Sequence, residues 1–284
     1  MYLLHFFRNL FHKKNTGILI FFFINIMFIY FLFSLAGTSS FNFIYAILLY
    51  LFSLYIALSP IGERIIRWQL GCKQITDPVV KNRLDRIFYE VYNKANISNP
   101  ELADDIEIFM TNDMYMNAFA TGRKTICVTR GLYENLNDEQ IEAVLAHEFS
   151  HILHKDTDLL LIIMVSNMIM NFILIIARSF AHIFAVNMSK EKGYSYARSR
   201  IMIDLLISGV FQIWTKLGVM LVLSSSRNQE FVADGYAKKL GYGETLANVL
   251  YILNQGNVGK HSLAQTLMSS HPSAGERIEK LREV

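Results

Sequence analysis

AHEFSHILHKDTDLLLIIMV, residues 146–165, holds two histidines four apart, a glutamate beside the first, and an apolar run that begins within two turns. On a helix His147 and His151 project from one face, one turn apart. Both imidazoles can then reach a single Zn²⁺ at about 2.0–2.1 Å. Glu148 is placed to touch a water on such an ion without occupying the ion itself, which is what metal-assisted peptide hydrolysis needs. The ordinary alternative is a pair of helix-face histidines with a solvated glutamate.

The surrounding residues favour a true helix. Asn137 can cap it, Gln140 stands three residues on, and Leu136 with Ile141 supplies a hydrophobic staple. A catalytic zinc also needs a third protein ligand and an open position. His154 is excluded by distance, because seven residues separate it from His147, roughly 10 Å along a helix. The ligand must come from farther away, and SSSRNQEFVADGYA at 224–237 offers Glu230 and Asp234, again four apart. Glu230 is expected to bind the metal. Asp234 is expected to accept a hydrogen bond from the far nitrogen of a ligating histidine, His147.

The 52% hydrophobic content is unevenly spread over the 284 residues. Ile18 to Ala36 and Phe41 to Leu58 carry no charge, and each approaches the roughly 20 apolar residues that span a bilayer. GTSS at 37–40 separates them, so they read as a helical hairpin serving as an uncleaved anchor. Arg8, Lys13 and Lys14 precede it, and Arg64, Arg67 and Lys73 follow, which puts both ends in the cytoplasm. Leu159 to Ala177 and Leu205 to Leu223 form a second hydrophobic pair, the latter interrupted by Lys216. For His151 and Glu230 to meet, the chain between them must cross the membrane an even number of times. The stretch inside this pair carries Arg178, Lys190, Lys192, Arg198 and Arg200, residues that the positive-inside rule keeps cytoplasmic. Either it is exported nonetheless or the pair dips in without spanning, and the spanning hairpin is the favoured reading.

The expected organisation is an N-terminal transmembrane hairpin (1–59), a first protease segment with the histidine helix (60–157), a second hydrophobic hairpin (158–224) and a second protease segment (225–284). Within the first protease segment, DPVVKNRLDRIFYEVYNKANI at 77–97 reads as a helix ending near Asn99. IEIFM, NAFA and TICVT read as short strands, with Gly122 turning the last two into a hairpin. Ser273 and Glu276 offer a capping box for a last short helix. The class is therefore α+β, mainly helical with a small sheet, plus about four transmembrane helices in two hairpins. Cys72 and Cys127 lack metal-type spacing and read as free thiols. No basic cluster points to nucleic acid.

NAFATG (117–122), AHEFSHILHKD (146–156), SRNQEFVAD (226–234) and SHPSAGERI (270–278) together resemble the HtpX family of integral-membrane zinc metalloproteases, relatives of the CAAX prenyl protease. The resemblance implies a gluzincin fold, one Zn²⁺ per chain, endopeptidase action on membrane or unfolded proteins, and membrane quality control. It also implies a bacterial inner-membrane protein with its active site facing the cytoplasm. His271 enters by resemblance as a second electrophile for the oxyanion. Glu148 would be the general base that later protonates the leaving amine. Asn117, Ala118, Phe119 and Ala120 would form a strand edge on which an extended substrate pairs through its backbone. Pro272-Ser273 departs from the Pro-Pro frequent in the family, as does Gln229, where a bulkier or charged residue is usual. Two rival readings are a CAAX-type processing protease, which asks for more spanning helices, and a non-enzymatic membrane scaffold with a structural zinc, which usually asks for cysteines.

Overall fold

The helix carrying the two histidines starts where its capping signals put it. A computed structural model describes residues 16–37, 39–100, 102, 104–157, 161–162, 228–256 and 274–283, with isolated helical positions between 172 and 216. The described elements, in chain order, are helices α1 (Thr16–Ala36), α2 (Asn42–Ala57), α3 (Pro60–Gln69) and α4 (Pro78–Ser98), then strands β1 (Glu107–Thr111), β2 (Ala118–Thr121) and β3 (Thr125–Thr129). Helices α5 (Arg130–Asn135), α6 (Asp138–Leu153), α7 (228–239), α8 (Gly243–Gly256) and α9 (Ala274–Arg282) follow. This is a mainly helical chain with one small mixed sheet, as expected.

The chain divides into two compact units, Met1–Ala57 with Ile163–Leu221, and Leu58–Ile162 with Val222–Val284. In the first, α1 and α2 pack through edge-to-face ring pairs, Phe22 on Tyr50 and Tyr30 on Phe43. That pairing of early with late residues makes them an antiparallel hairpin. Among the described residues no single helix is long and apolar enough to cross a membrane. The apolar run Leu19–Phe31 falls short, and α2 with α3, bent by 73°, passes the requirement only as a pair. Most of the second hydrophobic pair lies outside the described residues.

In the second unit, α4 begins at Asp77, whose carboxylate accepts from the Val79 and Val80 amides, with Pro78 in the first turn. Its buried residues Leu84, Ile87, Phe88, Val91 and Ala95 recur at helical spacing and form one stripe against α6. Phe88 meets Phe149 at 5.3 Å between centroids. Asn137 and Gln140 make the reciprocal capping box of α6, over the buried Leu136 and Ile141.

The sheet order is β1-β3-β2, with β1 parallel and β2 antiparallel to β3. The β2–β3 turn is held from outside. Gly122 adopts φ +62°, and a Cβ there would collide with the Glu63 side chain. Glu63, buried on α3, accepts from the Arg123 and Lys124 amides, while the Thr157 hydroxyl donates to the Gly122 carbonyl. Beneath the sheet, α4, α6 and α8 enclose a core that includes Leu84, Val91, Ile126, Val144, Leu145 and Leu246.

Candidate metal centre

Four of the sixteen residues of α6 supply its polar chemistry: His147, Glu148 and Ser150 are buried and His151 is nearly so, while Phe149 anchors the opposite side in the core. Glu230 and Asp234 come from α7 and are 4% and 3% exposed, low values for carboxylates. His147, His151 and Glu230 each offer one ligand atom, and these atoms lie within 4.8 Å of one another.

The individual separations are closer still. His147 Nε2 is 3.3 Å from His151 Nε2 and 3.3 Å from Glu230 Oε2, and His151 Nε2 is 3.5 Å from Glu230 Oε1. A tetrahedral ion with bonds of about 2.0–2.1 Å has ligand–ligand edges of about 3.3 Å. The other ring nitrogens face carboxylates: His147 Nδ1 is 3.0 Å from Asp234 Oδ1, and His151 Nδ1 is 3.1 Å from Asp156 Oδ2. Each carboxylate holds the proton on Nδ1 and turns the Nε2 lone pair toward the common point.

Arg277, from α9, completes the enclosure. It is 2% exposed, forks onto Asp234 at 2.7 and 2.6 Å, and places Nη1 3.1 Å from Glu230 Oε2. Such planar, two-toothed pairing is the strength of a guanidinium. Burial alone would raise the Asp234 pKa, but hydrogen bonds from Arg277 and His147 hold it below the usual carboxylate range. Burial and the Arg277 charge work against protonation of His147. Hydrogen bonds to Asp234 and Glu230 outweigh them and raise its pKa to about 9.

These residues fit a divalent cation. Glu148, Glu230 and Asp234 are three buried carboxylates facing one buried guanidinium, a deficit of two positive charges in a poorly solvated site. The donor set, two imidazoles and a carboxylate, is the kind zinc takes in catalytic sites. The deficit and the edge lengths agree on one M²⁺ ion.

Glu148 points to the sheet. Its Oε2 accepts from the Ala120 amide at 2.7 Å. Along β2 the Thr129 amide donates to the Asn117 carbonyl at 2.9 Å, so Asn117, Phe119 and Thr121 turn their backbone groups toward β3. Ala118 and Ala120 turn theirs outward, on the edge of the sheet beside α6. Phe119 packs with Phe109 and Cys127. His271 lies outside the described residues.

Sequence reasoning overlooked Arg277 and Asp156. Both stand inside motifs already quoted, SHPSAGERI and AHEFSHILHKD. Their signal was an arginine and an aspartate close to metal-site motifs. Spacing alone does not say that either folds back onto the ligands.

The sequence profile of peptidase family M48 matches residues 78–284. Protease HtpX of Wigglesworthia glossinidia brevipalpis is 30% identical over 257 residues, covering 81% of this chain and 80% of that protein. Protease HtpX of Shewanella pealeana is 31% identical over 255 residues, covering 78% of this chain and 83% of that one. Among solved structures, S. mikatae Ste24p is similar with a TM-score of 0.48 at 20% identity, over 91% of this chain and 62% of that one.

Proposed function

The chain belongs to peptidase family M48 and is by that membership a zinc-dependent metallopeptidase, and on this premise we propose that it is a membrane-bound endopeptidase acting on membrane or unfolded proteins at the cytoplasmic face. The observation that carries the reading is the convergence of His147 Nε2, His151 Nε2 and the Glu230 carboxylate on one point, with Glu148 beside it. Those three side chains would hold one Zn²⁺, whose Lewis acidity polarises the scissile carbonyl and acidifies water.

The chain's own residues supply the rest. An extended peptide lying along the outer edge of β2 pairs with the outward backbone groups of Ala118 and with the Ala120 carbonyl, the Ala120 amide being taken by Glu148, a mode that reads little side-chain sequence. Asn117 and Phe119 hold that edge in register through β3. Glu148, tethered through one oxygen to the Ala120 amide, keeps its other oxygen for a proton. It takes the proton from the attacking water and returns it to the leaving amine. His271 is the group we assign to the developing oxyanion. Asp234, locked by Arg277, keeps His147 in the tautomer that presents Nε2.

The membrane setting rests on the charge-free runs at 18–36 and 41–58, and on the apolar residues that follow α6 from Leu159. A histidine helix followed so soon in the sequence by an apolar run favours substrates whose cleavable loops emerge at the bilayer surface. In a bacterial inner membrane that activity amounts to quality control.

Purification under chelator followed by zinc addition, with casein and self-cleavage as readouts, tests the reading. Wild type should regain proteolysis. Glu148→Ala should keep its zinc and lose on the order of 10²–10⁴ in turnover. Undiminished cleavage by Glu148→Ala, or cleavage under chelator, would overturn the assignment.

A further inference from the structure

Asp156 stands five residues after His151, a spacing at which a continuing helix would carry it about 7.5 Å along the axis and away from the histidine face. Helix α6 does not continue that far. His154 caps α6, and Lys155 takes φ 60°, the one positive φ at a non-glycine residue among those described. A side chain bearing a Cβ is strained there, and such strain persists only where neighbouring contacts hold it. Here the Lys155 amide donates to the Ile152 carbonyl at 3.1 Å, and the Thr157 hydroxyl donates to the Gly122 carbonyl. The turn swings Asp156 back until Oδ2 lies 3.1 Å from His151 Nδ1, both side chains being largely shielded at 15% and 12% exposure.

We propose that Asp156 is the positioning residue for His151, and that the left-handed turn at Lys155 exists to aim it. This rests on the zinc reading above and deepens it. His147 is backed by Asp234 on a separate helix, and His151 by a carboxylate from its own chain reversal. Both histidines thereby donate from Nδ1 and present Nε2 to the ion. Each has its own support, so loss of either should loosen the ion without dismantling the core.

The test uses the full chain in detergent on a Glu148→Gln background, which suppresses self-cleavage. Zinc dissociation constants are read by competition with a chromophoric chelator, and the melting temperature of the metal-free protein is read in parallel. Asp156→Ala should weaken zinc by about 10–100-fold, with Asp156→Asn less affected and the metal-free melting temperature of both close to that of the parent. Lys155→Val, which disfavours the left-handed turn and leaves Asp156 in place, should also weaken zinc, whereas Lys155→Gly should not. Unchanged zinc affinity in Asp156→Ala overturns the proposal, as does a loss matched by a fall in metal-free stability. If the parent itself binds no zinc, the functional reading falls along with it.

Discussion

At the scale of single residues, the metal centre is a problem in charge balance that His147 partly solves when no ion is bound. With a pKa of about 9 it carries a proton at neutral pH and donates to the carboxylates around it. Zinc needs that nitrogen neutral, so uptake must expel the proton. The sign follows directly. Well below pH 9 the metal competes with a bound proton, and apparent affinity should rise by roughly tenfold per pH unit, levelling off near pH 9. Calorimetry at pH 8 in buffers of different ionisation enthalpy should show close to one proton released from this group. A binding enthalpy independent of buffer would contradict the raised pKa. His147 and His151 were legible in the sequence as a candidate ligand pair because a helix turns a spacing of four into shared direction, and Glu148 as the carboxylate beside the first of them. Glu230 was legible only as the partner that such a pair demands. Arg277 was not, since its contacts to Asp234 and Glu230 depend on how α9 docks, which no local pattern records.

At the scale of elements, the hairpin of β2 and β3 holds Glu148, the proposed general base, through the Ala120 amide. Its turn needs the positive φ of Gly122 and has no room for a methyl group beside Glu63. Gly122→Ala should therefore destabilise the protein by about 1–3 kcal/mol. It should also lower turnover, because β2 supplies the Ala120 amide that holds Glu148. Denaturant melts alongside casein cleavage would check both effects, and a variant with wild-type stability would refute the packing argument. The hairpin was readable from alternating residues around a glycine, and the start of α6 from its capping box. The parallel pairing of β1 with β3 was not. Its register, Glu107 opposite Thr125 through Thr111 opposite Thr129, is set by strands meeting after an intervening loop and strand. The clasp by Glu63 and Thr157 was equally hidden, because both read in sequence as ordinary polar residues.

At the scale of the whole molecule, the two charge-free runs near the N-terminus and the metal centre belong to different compact units. If the first hairpin serves only to bring substrate close, removing residues 1–57 should leave zinc affinity intact and casein cleavage within a few-fold. Cleavage of bilayer-embedded substrates should fall much further. Equal loss on both substrates would show that the hairpin is needed for the peptidase itself. The mainly helical class and small sheet were legible as a whole, through capping signals and periodicity. The second hydrophobic pair was legible only in composition, and its conflicting basic residues leave the spanning hairpin a proposal. Arg277 has a consequence in time. Helix α6 leaves the ribosome more than a hundred residues before α9 does. Until α9 arrives, the carboxylates of α7 lack their guanidinium clasp, so this buried cluster gains its compensating positive charge only after α6 and α7 have both been made.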